Sequence, residues 1–212
     1  MSETPTFSTD LEAAFVALRA DLLADGGPRI STMRNYRFAI LPYRPSDEFK
    51  MRDRLRRLVG ELRASGWGVL SVSLQRLMLA RIRSHGDAVV QSIVNREKAL
   101  LKKPGGRALE HLKQFVAPLI LEADGVPADV TKLISDFAVQ YPDRADSTVI
   151  FIEHAAALYP FHKSSALLKH LDGHTHNIPV ILLYPGERHG ATGLSFMGQN
   201  EPDRDYRPRI YP

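Results

Sequence analysis

The chain has 212 residues, 44% of them hydrophobic and 25% charged, and a formal charge of +4, which bounds it to an ordinary globular chain with one sizeable core. It has no cysteine, so disulfides, thiolate zinc sites and a cysteine nucleophile are excluded. No apolar run approaches the ~20 residues of a membrane-spanning helix, and MSETPTFSTD lacks the regions of a signal peptide, so a cytoplasmic location is expected.

Taken in order, Thr9 and Glu12 have capping-box spacing, and Leu11, Phe15, Leu18 and Leu22 make one apolar stripe, which predicts a first helix ended by Gly26, Gly27 and Pro28. NYRFAILPY (35–43) reads as a buried strand. Ser46 or Asp47 caps a second helix to about Ala64, with Met51, Leu55, Leu58, Val59 and Leu62 inward. WGVLSVSL (67–74) is a strand, and a helix follows to about Gly86. No strand is predicted between 86 and 140, where helices are broken by KKPGGR (102–107), interrupted by Pro118 and restarted by Pro127. Strands return in STVIFIEH (147–154) and IPVILLYPGER (178–188), joined through the short helix of SALLKHLDG (165–173). Leu194–Met197 is a possible edge strand.

Strand, helix, strand with short links is the pattern of a parallel βαβ unit, and near-continuous Val/Ile/Leu runs indicate strands buried on both faces. The expected architecture is a three-layer α/β sandwich. Its mostly parallel central sheet has strands near 36–43, 67–73, 148–153 and 179–184, with a helical insertion near 75–140. One α/β domain over 1–212 is expected, with the segment of about 199–212 packed on the core or on a partner. Ligands of such folds bind outside the carboxyl ends of the strands.

Several chemistries could use those strand ends. A phosphate loop needs clustered glycines, a lysine and a hydroxyl after a strand. His162-Lys163-Ser164-Ser165 has the last two but no glycines, so the expectation is a degenerate nucleotide-binding-like fold without a phosphate loop and without a cofactor. His170, Asp172, His174 and His176 include good metal-ligand types, but Gly173 makes them a helix end and a surface loop. GLSFMG (193–198) is one residue too long for a nucleophile elbow, so Ser195 reads as a strand hydroxyl and no catalytic residue is assigned. Three readings stay open. One is an enzyme or nucleotide-handling protein with a site around Glu153, His154, Lys163 and Arg188. The second is DNA binding through the arginine-rich helix 47–64, although Asp53 is spaced to pair with Arg56 and Arg57. The third is a protein interface. The last third is dense in Tyr, Phe, Met and Arg, the residue types enriched at interfaces. The face expected to bind a partner comprises Tyr159, Phe161, His162, Tyr184, Arg188, Phe196, Met197, Arg204, Tyr206, Arg207, Arg209 and Tyr211.

The ordered blocks TVIFIEHAAALYPFHKSSALLKHLDG, NIPVILLYPGER, GLSFMG and DRDYRPRIY resemble the BrxB family of bacterial BREX phage-defence systems, and NYRFAILPYRPSDEFKMRDRLRRLVGELRASGW extends the resemblance toward the N-terminus. The resemblance implies a cytosolic protein that accompanies a DNA methyltransferase, an ATPase and an alkaline-phosphatase-like PglZ protein. It implies a non-catalytic partner role, with the PglZ-like protein as the expected contact and the methyltransferase and ATPase as further candidates. It carries no catalytic motif.

Overall fold

The four long apolar runs all become strands, and they pair in parallel. The computed structural model describes residues 6–7 (backbone only), 10–30, 36–102, 108–121, 124–190, 193–197 and 207–212. In chain order the elements are β1 (Thr6–Phe7), α1 (Leu11–Leu22), β2 (Phe38–Tyr43), α2 (Glu48–Ala64), β3 (Gly68–Ser73), α3 (Leu74–Ser84), α4 (Asp87–Leu101), α5 (Ala108–Leu121) and α6 (Val126–Gln140). There follow β4 (Thr148–Glu153), α7 (Ser164–Leu171), β5 (Val180–His189), β6 (Gly193–Phe196) and β7 (Arg209–Ile210). The sheet order is β3-β4-β5-β2-β7, every pair in that path being parallel, while β1 and β6 pair antiparallel with the far half of β5.

The strand period of two divides the core into two layers. Phe38 and Ile40 of β2, Ile150 and Ile152 of β4, and Val180, Leu182 and Tyr184 of β5 face one way, into the helices α3, α5, α6 and α7. Their neighbours Ala39, Leu41, Tyr43, Val149, Phe151, Ile181 and Leu183 face the other way, onto α1 and α2. That is why the strands read as continuous apolar runs, and it makes the fold a three-layer α/β sandwich with a mostly parallel central sheet.

Three local expectations differ from the structure. The first helix is capped by Asp10, whose carboxylate accepts from the backbone N–H of Glu12 at 3.0 Å; Thr9 lies outside the described residues. Asp10 competes as a cap because its charged acceptor also suits the positive helix terminus. β5 does not stop at Tyr184 but runs on through Pro185 and Gly186 to His189, because β1 and β6 pair with its far half. Gly186 makes this possible: a Cβ there would collide with the Ser195 carbonyl oxygen and come within 2.6 Å of the Tyr184 ring. Finally, part of the charged tail is itself a strand. β7 lies parallel to β2, with Ala39 opposite Arg209 and Ile40 opposite Ile210.

Candidate functional site

The carboxyl ends of β2, β3, β4 and the first half of β5 lie side by side, set by the parallel register. Two small polar networks and one aromatic column occupy them.

At the end of β2, the Tyr43 hydroxyl donates to Glu48 Oε2 at 2.5 Å, and Arg52 Nε donates to Glu48 Oε1 at 2.7 Å. Burial, and then the Glu48 hydrogen bond, push the Tyr43 phenol well above its usual value, so it stays protonated. At the ends of β3 and β4, Ser73 Oγ lies 3.1 Å from His154 Nδ1, and Ser73 also accepts from the backbone N–H of Arg76 as the cap of α3. His154 takes a left-handed backbone (φ 61°), uncommon for a side-chain-bearing residue. A hydroxyl beside an imidazole is the first requirement of nucleophilic catalysis. A third group that orients the imidazole is the next, and among the described residues nothing hydrogen-bonds His154 Nε2. Glu153 is half-buried beside it, and Glu153 and Lys163 are not joined by an ion pair among the described residues.

Midway along β5, where its parallel half ends, Tyr184 is buried, and the Phe196 ring meets it edge-on at 5.4 Å. Tyr159 lies against the other side of Phe196 at 5.2 Å and is 40% exposed. Met197 follows at 37% exposure, held by its N–H donating to the Pro185 carbonyl at 2.9 Å. Phe161 packs half-buried on the same core layer. His162 is half-buried, its Nε2 has no hydrogen-bond partner among the described residues, and burial, then the charge of His170, lower its pKa. The column therefore runs from core to surface: Tyr184, Phe196, Tyr159.

Of the other expected face residues, those that are described do not join it. Arg209 pairs with Asp21 at 2.7 Å and donates to the Arg29 carbonyl at 3.0 Å. Tyr211 is fully buried in the α1–α2 layer, its hydroxyl donating to the same Asp21 carboxylate at 2.9 Å. These two were expected at the partner face and instead fasten the tail to the chain's own core, because Tyr211 supplies a ring for the core and α1 supplies the carboxylate. Arg188 donates to the carbonyls of Gly190 and Ile210 at 3.1 and 3.4 Å, tying β5 to β7. Arg207 is exposed, and its charge acts on Tyr36. Arg204 and Tyr206 lie outside the described residues.

Most cations of the arginine-rich helix are paired within the chain. Arg52 pairs with Glu48, Arg54 with Glu12, both Arg56 and Arg57 with Asp53, and Lys50 with Asp47. The Arg63 guanidinium donates to the Val69 carbonyl. In the segment 170–176, the rings of His170 and His174 stack at 6.2 Å, and no group of three or more His, Asp or Glu side chains among the described residues is arranged to hold an ion. No helix among the described residues is long and apolar enough to cross a membrane.

Sequence reasoning missed the Ser73–His154 contact and the crossing at Gly186. The first had a signal, since Ser73 stands where strand gives way to helix and so suits a cap; the second needs a distant backbone and had none.

Fold and site together define an α/β protein whose strand end nearest β6 is closed by its own aromatic side chains, with the outermost of them presented at the surface. The family comparison makes the assignment specific: residues 70–210 match the family described as BREX protein BrxB, and the chain belongs to that family, a component of BREX systems. The N-terminal block over 35–67 that carries part of the resemblance lies wholly upstream of the matched residues. No curated protein and no solved structure matches the chain.

Proposed function

We propose that this chain is a non-catalytic interaction component of its BREX anti-phage defence complex, that it works in the cytoplasm, and that it holds the PglZ-like protein of that system. The observation that supports this most directly is the aromatic column. At the position where a parallel-sheet protein receives its ligand, Tyr184 and Phe196 fill the space from below, and Tyr159 and Met197 are left at the surface. An aromatic ring backed by a packed core loses little conformational freedom on docking, and a methionine beside it adapts its shape, which suits the pair to anchor a partner. The internal pairing of the α2 arginines argues against DNA as the primary partner, since cations already matched to carboxylates release fewer counterions on a phosphate backbone.

The test is co-purification of the chain with the PglZ-like protein from cells carrying the neighbouring genes, with nuclease added. Tyr159→Ala combined with Met197→Asp is expected to abolish recovery of the partner while leaving the thermal melt unchanged, because both side chains are already exposed. Full recovery with the double variant removes this face from the interface. Absence of the PglZ-like protein even with the unaltered chain removes the partner assignment.

A further inference from the structure

The helix α4 buries none of its 15 residues, although six of them are Val, Ile or Leu. A helix of this length is marginal on its own and is held by packing an apolar stripe. Here the helix lies against α3 and α5, and Ile93 reaches the core layer, but no side chain of the stripe is fully covered. Ile93 and Leu100 of α4 and Leu112 and Phe115 of α5 line a shallow groove between the two helices. Val94 and Leu101 stand on its rim at 36% and 70% exposure, with Leu109 of α5 at 52%.

The groove lining itself carries one cation and one carboxylate, Arg96 and Glu97; the helices around it differ from α2 in leaving most of their cations without a carboxylate. Over α3, α4 and α5, Arg76, Arg83, Arg96, Lys98, Lys102 and Lys113 have no carboxylate partner among the described residues, while the same stretch carries only Asp87, Glu97 and Glu110. Arg96 lies over the Phe115 ring, 4.2 Å from its centroid, rather than against an acid. His111 Nδ1, in the groove lining, is buried and has no partner among the described residues.

We propose that the α4–α5 groove is a second docking surface, and that its occupant is an amphipathic helix of a protein partner with an acidic polar face. The occupant's apolar stripe would lie on Ile93, Leu100, Leu112 and Phe115, and its flanking carboxylates would meet Arg96, Lys98 and Lys113. A second copy of this chain fits poorly, because it brings the same excess of cations to the interface. A nucleic acid would satisfy the cations but leave the apolar floor in water. The proposal stands apart from the Tyr159 face and does not depend on which component that face engages.

The probe is a fluorescein-labelled helical peptide of about 20 residues, about 30 Å long as a helix, with leucines at helical spacing on one face and glutamates on the other. Fluorescence anisotropy against the full chain should show saturable binding that weakens with salt. Val94→Asp with Leu101→Asp, and separately Arg96→Glu, should each weaken it at least about tenfold, because each sets new carboxylates against an acidic partner, with unchanged melting curves. A matched peptide with lysines in place of glutamates should not bind. The proposal is overturned if the lysine peptide binds as well, or if the acidic peptide does not bind or ignores these substitutions. It is also overturned if light scattering shows a dimer that Val94→Asp with Leu101→Asp dissociates, or if a labelled duplex binds in an Arg96-dependent way while the peptide does not.

Discussion

Replacing Tyr211 tests whether the tail belongs to the fold. The ring is fully buried, its hydroxyl donates to Asp21 Oδ2 at 2.9 Å, Arg209 stacks its guanidinium 4.9 Å from the ring centroid, and the Tyr211 N–H donates to the Ile40 carbonyl at 2.9 Å. Tyr211→Phe keeps the ring and removes one hydrogen bond to a charged acceptor, which is worth about 1.5–3 kcal/mol. The lower end applies, because Arg209 still satisfies Asp21. Tyr211→Ala also empties a ring-sized space and should cost about 3–5 kcal/mol, as aromatic truncations in cores do. With a urea m-value of about 3 kcal/mol/M, suited to a chain of this size, the midpoint should fall by about 0.5 M for Phe and by about 1–1.7 M for Ala. Asp21→Asn should couple with Tyr211→Phe, so that the double variant loses less than the two single losses together. A fall below about 0.2 M for Tyr211→Ala would show that the tail is not docked in solution, and the placement of Arg209 and Tyr211 inside the fold would be wrong.

Raising the pH should unfold the chain early through its buried phenols. Burial, then the Asp21 carboxylate, raise the Tyr211 pKa, and burial, then Glu48, raise that of Tyr43. The fold holds the neutral phenols, so their contribution is complete below the unfolded value of about 10 and is lost as pH rises beyond it. Urea midpoints measured from pH 8 to 11 should decline steeply above about 10, and Tyr43→Phe with Tyr211→Phe should flatten the decline; an unchanged slope contradicts the assignment. Gly186→Ala forces a methyl group into the Ser195 carbonyl and the Tyr184 ring, and should cost about 1–3 kcal/mol in a thermal or urea melt; an unaffected melt would mean that β6 does not cross there. Arg56→Ala with Arg57→Ala should leave duplex retention at low salt unchanged, since both guanidiniums already face Asp53; a fall in the salt slope of about two would restore the DNA reading.

What could be read from the residues follows the physics of burial. β2, β4 and β5 are buried on both faces and so appear as unbroken apolar runs, and α2 and α6 show their inward stripes at helical spacing. β7 has no such signature. It is two residues long, its sheet contacts are made by backbone groups, and its neighbours are charged, so a strand edge looked like a tail awaiting a partner. The aromatic column was half legible. Tyr159, Phe196 and Met197 do lie together, but Tyr184 turned out to be their buried foot, because residues that alternate along β5 enter different layers. The α4–α5 groove escaped notice because an apolar stripe looks the same whether or not the chain itself covers it.

The parallel register also governs how the chain reaches this structure. Phe38 pairs with Val180, Gly68 with Thr148 and Ala39 with Arg209, so along the path β3-β4-β5-β2-β7 only β4 and β5 are consecutive strands, and even there Ile150 meets Val180 across an intervening helix. Each pairing closes a long loop before any of its contacts is gained, which makes such topologies slow to fold. During synthesis, the fully apolar β2 emerges early and finds its first sheet neighbour only when β5 has followed it. The helices α3 to α6 can form meanwhile from contacts near in sequence. The nascent chain therefore carries an unpaired hydrophobic strand through most of its translation, and its yield in cells should respond to chaperone supply more than its final stability would suggest.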